Sequence, residues 1–559
     1  MKNWKNLLVL GSAAAMMIAA AGCVSNQGCN RTCDEAFGQD HLQIGWARRS
    51  IAKDGPVPIT GQFYLRVAQG QYTPVIAQAM AMTNKSDAVI FVSADMVSVN
   101  KLVLERVVAN LKKEAPAIPA NKIIINATHT HAGPSSNVVP DDYPRQVKVI
   151  SSPDMQDFIA RQITDAVKEA WAKRAPGSIA YGYGFATTGH SRRTIYFDDT
   201  GKRLGNSAGQ AMNGKGRMYG KTNDAMFDGY ESGSDAFINL FYTFDAAGRL
   251  TGAVVNVPCP SQTSEHAWFL HASFWHNVRE KLSDKYGNIG IIAQAAAAGD
   301  LAPRQLHYLE AEKRRYRLKY ADKIAEYLKN PAKTPMAWEK DPAAAARQRN
   351  ADVIEMMRSE DIANRIVEAF DEVLNWAQHD KMCNPEFKHE VQTVKLSRRM
   401  FPQELVEQEK ITHEKFMAQK YVEGGDQWDQ LRSNSTLRSR RGRVGGVIDR
   451  YEIQAREPYI TTDIHVVRVG NLAFATNRFE MFLDYMHRIQ GRSPFAQTVI
   501  VQLVTDLNGQ GKYLATERGI ANKGYSATPY CNIVSAEGGQ ELVDKTVDML
   551  KKIKKENEK

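Results

Sequence analysis

From Asp87 to Ser93 the chain reads Asp-Ala-Val-Ile-Phe-Val-Ser, an apolar run of strand length. Leu104, Val107, Val108 and Leu111 then fall at i, i+3, i+4 and i+7, so the pattern predicts a strand followed by an amphipathic helix. Lys122 to Asn126, built around Ile123-Ile124-Ile125, reads as a second buried strand. Strand, helix, strand in that order argues for an α/β core. Further strand-length apolar runs occur at Ala253 to Val257, Ile289 to Ala293, Leu472 to Ala475 and Thr498 to Val504. Residues 305–380 change character: Tyr308 to Leu328 and Glu360 to Trp376 are rich in Glu, Lys, Arg, Ala and Leu with apolar positions at helical spacing, and Pro331 and Pro335 lie between them. A helical insertion is expected there, serving packing or partner contact. The charged stretch Lys551 to Lys559 is expected to fray.

The amino-terminal residues point outside the cytoplasm. Lys2 and Lys5 precede an apolar run from Leu7 to Ala21 that is too short to span a bilayer and reads as a secretory signal. The run ends in Ala20-Ala21-Gly22-Cys23, which resembles the bacterial lipobox, so residues 1–22 are expected to be cleaved and Cys23 lipidated. The mature chain would then sit on the cell envelope, lipid-anchored at the outer membrane or the periplasmic face. Residues 23–40 are polar and read as a tether to a globular body spanning 41–550.

The other cysteines, Cys29, Cys33, Cys259, Cys383 and Cys531, form no evident disulfide framework, although Cys29 and Cys33 could bridge in an oxidising compartment. They offer no CxxC pair, so any metal must be held by histidine, carboxylate or phenol. The net charge is +10, and Arg438-Ser439-Arg440-Arg441-Gly442-Arg443 concentrates it. That stretch reads either as a solvated loop or as a contact for an anionic glycan or lipid headgroup. Nucleic acid is a poor partner for a secreted lipoprotein.

The chemistry gathers at Asn126-Ala127-Thr128-His129-Thr130-His131-Ala132-Gly133-Pro134, directly after a buried strand. In an extended segment His129 and His131 would point to the same side, where two neutral imidazoles could ligate and relay around one metal ion. His129, Cys259, Asp300, Glu480 and Tyr513 each follow an apolar run, and open α/β sheets place their ligands beyond the carboxyl ends of strands.

The His129 segment is similar to the ATHTHSGP signature of neutral ceramidases. Val92-Ser93-Ala94-Asp95, Ser191-Arg192-Arg193, Gly299-Asp300-Leu301-Ala302-Pro303, Phe479-Glu480, Tyr513-Leu514-Ala515-Thr516-Glu517 and Lys523-Gly524-Tyr525 resemble further segments of that family along the chain. The resemblance implies an α/β, mixed-sheet catalytic domain, here with the 305–380 helical insertion. The immunoglobulin-like domain of many members is not expected, since too little chain follows Tyr525. It also implies zinc held by His129, Glu480 and Tyr513, with His131, Arg192 and Tyr525 around the reacting carbonyl.

Two positions depart from that family. Where it places a zinc-ligating histidine after Cys259, this chain has Pro260, and where it places a pocket serine, this chain has Ala302. Glu265, His266 and His271 are candidates for a replacement ligand, and Gln262 for holding a water. Arg193, Asp300, Ala302 and Arg304 are expected at the pocket. The leading expectation is an extracytoplasmic zinc-dependent hydrolase of an amide-type bond other than ceramide, acting on a lipid or glycan. The alternatives are a glycan-active enzyme in which Arg192, Arg193 and Arg304 meet an acidic sugar, and a catalytically inactive ligand-binding lipoprotein.

Overall fold

Three parallel strand pairs, each bridged by a helix, organise the molecule. The computed structural model describes residues 41–203, 214–329 and 342–556, with side chains from 351 onward in the last of these spans. The signal sequence, Cys23, the 23–40 tether, Cys29, Cys33, Pro331 and Pro335 lie outside the described residues.

The first pair is Ala88–Ala94 beside Ile123–Ala127, joined by the helix Lys101–Glu114. The second is Leu250–Val257 beside Gly290–Ala295, joined by Phe274–Tyr286. The third is Leu472–Thr476 beside Gln497–Val501, joined by Leu483–Arg492. Parallel neighbours need a crossover of this kind, and covering both faces explains why these strands read as unbroken apolar runs.

The first two pairs are the opposite edges of one eight-stranded sheet. Between them run Phe237–Asp245, Ala175–Phe185, Gln43–Ser50 and Ile76–Thr83, paired antiparallel. Polar side chains draw the two edges together: Asn126 Nδ2 donates to Ala293 O at 2.9 Å, and Ala293 N donates to Ser93 Oγ at 3.2 Å. The third pair belongs to a four-stranded sheet with Phe387–Ser397 and Tyr459–Val469. It is tied in by Asn256 Nδ2, which donates to Ile500 O at 2.9 Å, and by a bridge between Asn126 and Val504. Buried amides need partners, so these bonds fix how the three units meet. Their carboxyl ends converge on one place.

Phe474 packs between the sheets, with ring centroids 5.0 Å from Phe91 and 5.6 Å from Phe241. Lys101–Glu114 and Ser152–Ala172 contribute to a second apolar layer on the large sheet. The Pro342–Ala377 helix packs Phe370 and Val373 over the other half of that sheet, and Ala536–Lys555 covers the smaller one. Among the described residues no helix is long and apolar enough to cross a membrane.

Several boundaries differ from the sequence pattern. The run Thr498 to Val504 leaves the sheet after Val501, and Leu503 turns into the left-handed region at φ 57°. Tyr308 to Leu328 forms two helices, Leu309–Lys319 and Ala321–Lys329, broken at Tyr320, whose hydroxyl donates to Asp361 at 2.9 Å. Arg438 to Arg443 is not a loop but lies inside the helix Gln427–Gln454. Lys551 to Lys555 remains helical because Ile553 is buried and its carbonyl accepts from Arg468 Nη1 at 3.2 Å.

Candidate active site

After Ile123–Ala127 the chain is pinned by Thr128, whose N–H donates to Ala94 O at 2.9 Å and whose hydroxyl donates to Asp95 at 3.3 Å. Asp95 is itself held by Arg279 at 2.7 and 3.0 Å. His129 then adopts φ 65°, so the segment is not extended, and strand alternation is not what brings its two imidazoles together. A left-handed kink at His129 does, leaving the Nε2 atoms of His129 and His131 3.3 Å apart. Arg66 donates to the His131 carbonyl and fixes the exit. Gly61, at φ 111°, passes directly beneath the ring: a Cβ there would lie 2.6 Å from His131 Cγ.

The hydrogen bonds assign the tautomers. His129 Nδ1 lies 2.7 Å from Val97 O, a pure acceptor, so Nδ1 carries a proton and Nε2 is the nitrogen turned to the pocket. That nitrogen stands 3.4 Å from Glu480 Oε2. A ring nitrogen and a carboxylate oxygen so placed are joined either by a proton or by a cation. Two donors bound about 2.0–2.1 Å from a tetrahedral ion stand roughly 3.3–3.4 Å apart, so the spacing suits zinc. Among the described residues no three His, Cys, Asp or Glu side chains group to hold an ion; beside this pair stands the Tyr513 phenol, which hydrogen-bonds the Glu480 carboxylate. Glu480 and Tyr513 face each other in register across two short parallel strands. Burial, with Glu480 beside it, pushes the Tyr513 phenol well above its ordinary range. Burial works to raise the Glu480 carboxyl too, but His129 and Arg192 outweigh it and hold it below the usual value.

The turn after Leu250–Val257 supplies the other wall. Ser261 donates to Thr128 O at 2.6 Å, which pins Pro258 to Gln262 against the histidine segment. Pro260 contributes only its carbonyl, accepting from Gln262 N at 2.8 Å. Gln262 reaches the histidines instead: Arg192 Nη1 donates to its Oε1 at 3.0 Å, and its Nε2 lies 2.6 Å from His131 Nε2. The amide therefore donates to His131, whose remaining proton sits on Nδ1. That buried nitrogen has no hydrogen-bond partner, and the Glu265 carboxylate faces it at 3.8 Å. Burial first, then the neighbouring His129, Arg66 and Arg192 charges, hold His131 well below its ordinary pKa, so it is a neutral base. The buried Arg192 guanidinium also donates to Gly299 O at 2.9 Å and to the Tyr513 hydroxyl at 3.3 Å. Tyr525 packs edge-on to Tyr513, with ring centroids 5.6 Å apart.

Other expected residues have different duties. His266 is half exposed and 3.9 Å from Glu265. His271 points away, with Nδ1 bonded to Thr73 Oγ1 at 3.1 Å and to Ser273 N at 3.0 Å, and burial depresses its pKa to about 3. Arg193 is spent on Glu231, at 2.7 and 2.8 Å, and on the carbonyls of Lys523 and Tyr525, so it clamps the Tyr525 turn from behind. Asp300 accepts from Leu483 N at 3.0 Å and anchors that helix, while burial raises its pKa to about 6. Ala302 pairs with His190 in a short ladder, and Arg304 is bound to Glu265 at 3.0 Å. The buried Cys259 thiol is pushed up by burial and donates to Thr188 O at 3.1 Å, which makes it structural. Sequence reasoning missed Tyr219, whose hydroxyl lies 3.4 Å from both Arg192 and Gln262. No local pattern marks it.

Residues 65–196 match the family model described as "Neutral/alkaline non-lysosomal ceramidase, N-terminal". The chain is 26% identical over 223 residues to a neutral ceramidase of Pseudomonas aeruginosa, a match covering 38% of this chain and 29% of that protein. The matched stretch thus spans under a third of that relative's length. A structure described as ceramidase complexed with C2 superposes with TM-score 0.58 at 14% identity, covering 92% of this chain and 76% of that one. A crystal structure of neutral ceramidase from Pseudomonas aeruginosa gives 0.58 at 16% identity, covering 92% and 75%. The chain is neutral ceramidase-like. The resemblance first read from the His129 segment therefore extends to the mixed α/β fold, across almost the whole chain.

Proposed function

We propose that the chain is an extracytoplasmic, zinc-dependent hydrolase of an amide-type bond, with ceramide a poor substrate. The observation that carries this reading is His129 Nε2 held 3.4 Å from the Glu480 carboxylate while Nδ1 is committed to Val97 O. His129, Glu480 and Tyr513 would hold the ion. When bound, zinc supplies Lewis-acid polarisation of a carbonyl. Arg192, fixed by Gly299 O and Gln262, presents its guanidinium where negative charge develops on the carbonyl oxygen. Tyr525 closes the same side as a hydroxyl donor. The His131 lone pair accepts the proton of the attacking water once substrate displaces the Gln262 amide, and Glu265 steadies the Nδ1 proton.

Ceramide is disfavoured because Pro260 and Ala302 replace a ligand and a hydroxyl of the resembled family. Gln262 sets its amide 2.6 Å from His131 Nε2, so a substrate must displace it to reach that nitrogen. Commitment of Arg193 to Glu231 and of Arg304 to Glu265 argues against a triad of arginines on an acidic sugar. Attachment to the envelope through Cys23 is part of the proposal. Its support is the lipobox-like Ala20-Ala21-Gly22-Cys23.

The test is turnover of a panel of N-acyl compounds, including a short-chain ceramide, with zinc present and after chelation. The expected outcome is chelator-sensitive amide hydrolysis restored by zinc, with ceramide among the slowest, and Ala302→Ser alone giving no rescue. Ceramide as the fastest substrate would overturn the specificity reading. Ligand uptake without product from any member would favour a binding protein.

A further inference from the structure

Behind Tyr525 lies a cavity of about 400 Å³, within the size range of small-molecule pockets. Phe63, in its wall, packs edge-on to Tyr525 with ring centroids 5.4 Å apart, and Tyr525 packs in turn on Tyr513. Lys512, another wall residue, immediately precedes Tyr513, and its carbonyl accepts from Glu480 N at 3.0 Å. The cavity and the candidate active site therefore share a partition.

The lining is electrically one-sided. Arg438, Arg443, Arg450 and Lys512 line it, and no lining residue is Asp or Glu. Arg438 is paired with Asp142 at 2.7 Å, whereas among the described residues no carboxylate forms an ion pair with the other three. Arg443 is instead held by aromatic rings, its Cζ 4.5 Å from the Phe63 centroid, 5.0 Å from Tyr530 and 5.6 Å from Tyr525. Arg450 donates to Pro529 O at 2.7 Å and keeps a buried Nε without a partner. The acid just behind the wall, Glu409, is occupied by the Tyr530 hydroxyl at 2.8 Å. Cations gathered in a partly desolvated cavity repel one another, and a bound oxyanion, which guanidinium groups bind by charge-assisted hydrogen bonds, reverses that cost.

We infer that this cavity takes an oxyanion carried by the substrate, a phosphate, sulfate or carboxylate on an N-acyl compound whose amide lies at His131 and Arg192. The inference rests on the hydrolase reading above and specifies its substrate class. Aromatic rings between the anion pocket and the amide site suit either the apolar body of an amphiphile or a sugar face.

Isothermal titration of the full mature chain, at fixed ionic strength, tests it without requiring turnover. The probes are a short-chain N-acyl amino alcohol phosphate and its dephosphorylated twin, N-acetylglucosamine 6-sulfate and its unsulfated twin, and inorganic phosphate. At least one anionic probe should bind roughly tenfold or more tighter than its neutral twin, and the preference should weaken with salt. Which pair shows the preference identifies the source as lipid or glycan. Arg443→Gln should cut the preference below about threefold, and Arg443→Lys, which keeps the charge but loses the stacked planar fork, should keep only part of it. If Arg443→Gln does not fold, Arg438→Gln at the rim should weaken the anionic probe about threefold and leave the twin unchanged. Equal binding of both twins in both pairs, or inorganic phosphate competing as well as the whole compound, would overturn the assignment. Charge-selective binding with no hydrolysis of any probe supports the cavity and removes only the hydrolase reading. Hydrolysis without charge selectivity removes the cavity assignment alone.

Discussion

His129 owes its place to a backbone conformation that non-glycine residues rarely take, at φ 65°, a cost of about 1 kcal/mol. The cost is sustained by Val97 O on its ring, Thr128 behind it and Arg66 on the following carbonyl. Gly61 completes the support by leaving room for His131, so Gly61→Ala should displace that ring while leaving the distant core untouched. We expect kcat on the best N-acyl substrate to fall roughly 10- to 100-fold, because small misplacements of a proton acceptor are costly. Unchanged kcat in a folded Gly61→Ala protein would remove His131 from the chemistry. At this scale the sequence was legible where the cluster is local: the two histidines, Glu480 and Tyr513, which the structure brings together, were singled out by motif. Tyr219 and the approach of Gly61 were not, because both depend on chain that is remote in sequence.

The strands that carry the site were readable as apolar runs because each is covered on both faces. Sheet order was not readable, since edge closure depends on single buried polar groups, Asn126, Ser93 and Asn256, that look unremarkable in a sequence. The arginine-rich stretch read as a loop is helical because Leu437, Val444 and Val447 are buried along one face. Across the neighbouring strands of the smaller sheet, His389 Nε2 and His465 Nδ1 lie 3.0 Å apart, and His389 Nδ1 lies 3.0 Å from Ala88 O. Burial holds His465 at about 4 and His389 well below its usual value. In the unfolded chain both regain a pKa near about 6.5. The unfolded state therefore takes up protons that the folded state refuses as pH falls below about 6.5, and stability falls with it, at about 1.4 kcal/mol per pH unit for each such group. Chemical denaturation at pH 7, 6 and 5 should show this slope, and His465→Gln should flatten it by about one proton. An identical slope in the variant would mean that His465 titrates normally in the fold.

At the scale of the whole molecule, three helix-bridged strand pairs deliver His129, Gln262 and Glu480 to one point, and the mixed sheets fix their separation. The α/β class and the helices within 305–380 followed from periodicity, whereas the cavity came from long-range packing of the Gln427–Gln454 helix against Phe63 and Tyr525. Envelope attachment has a direct check: labelled fatty acid should enter the wild-type chain and not Cys23→Ala, and equal labelling of both would refute the lipobox assignment. The central claim is that His129, Glu480 and Tyr513 hold a zinc ion, and elemental analysis of the mature chain purified from zinc-supplemented growth tests it most directly. The account expects about one zinc per wild-type chain and little in folded His129→Ala or Glu480→Ala; wild-type protein free of metal, or variants that keep it, would contradict the account.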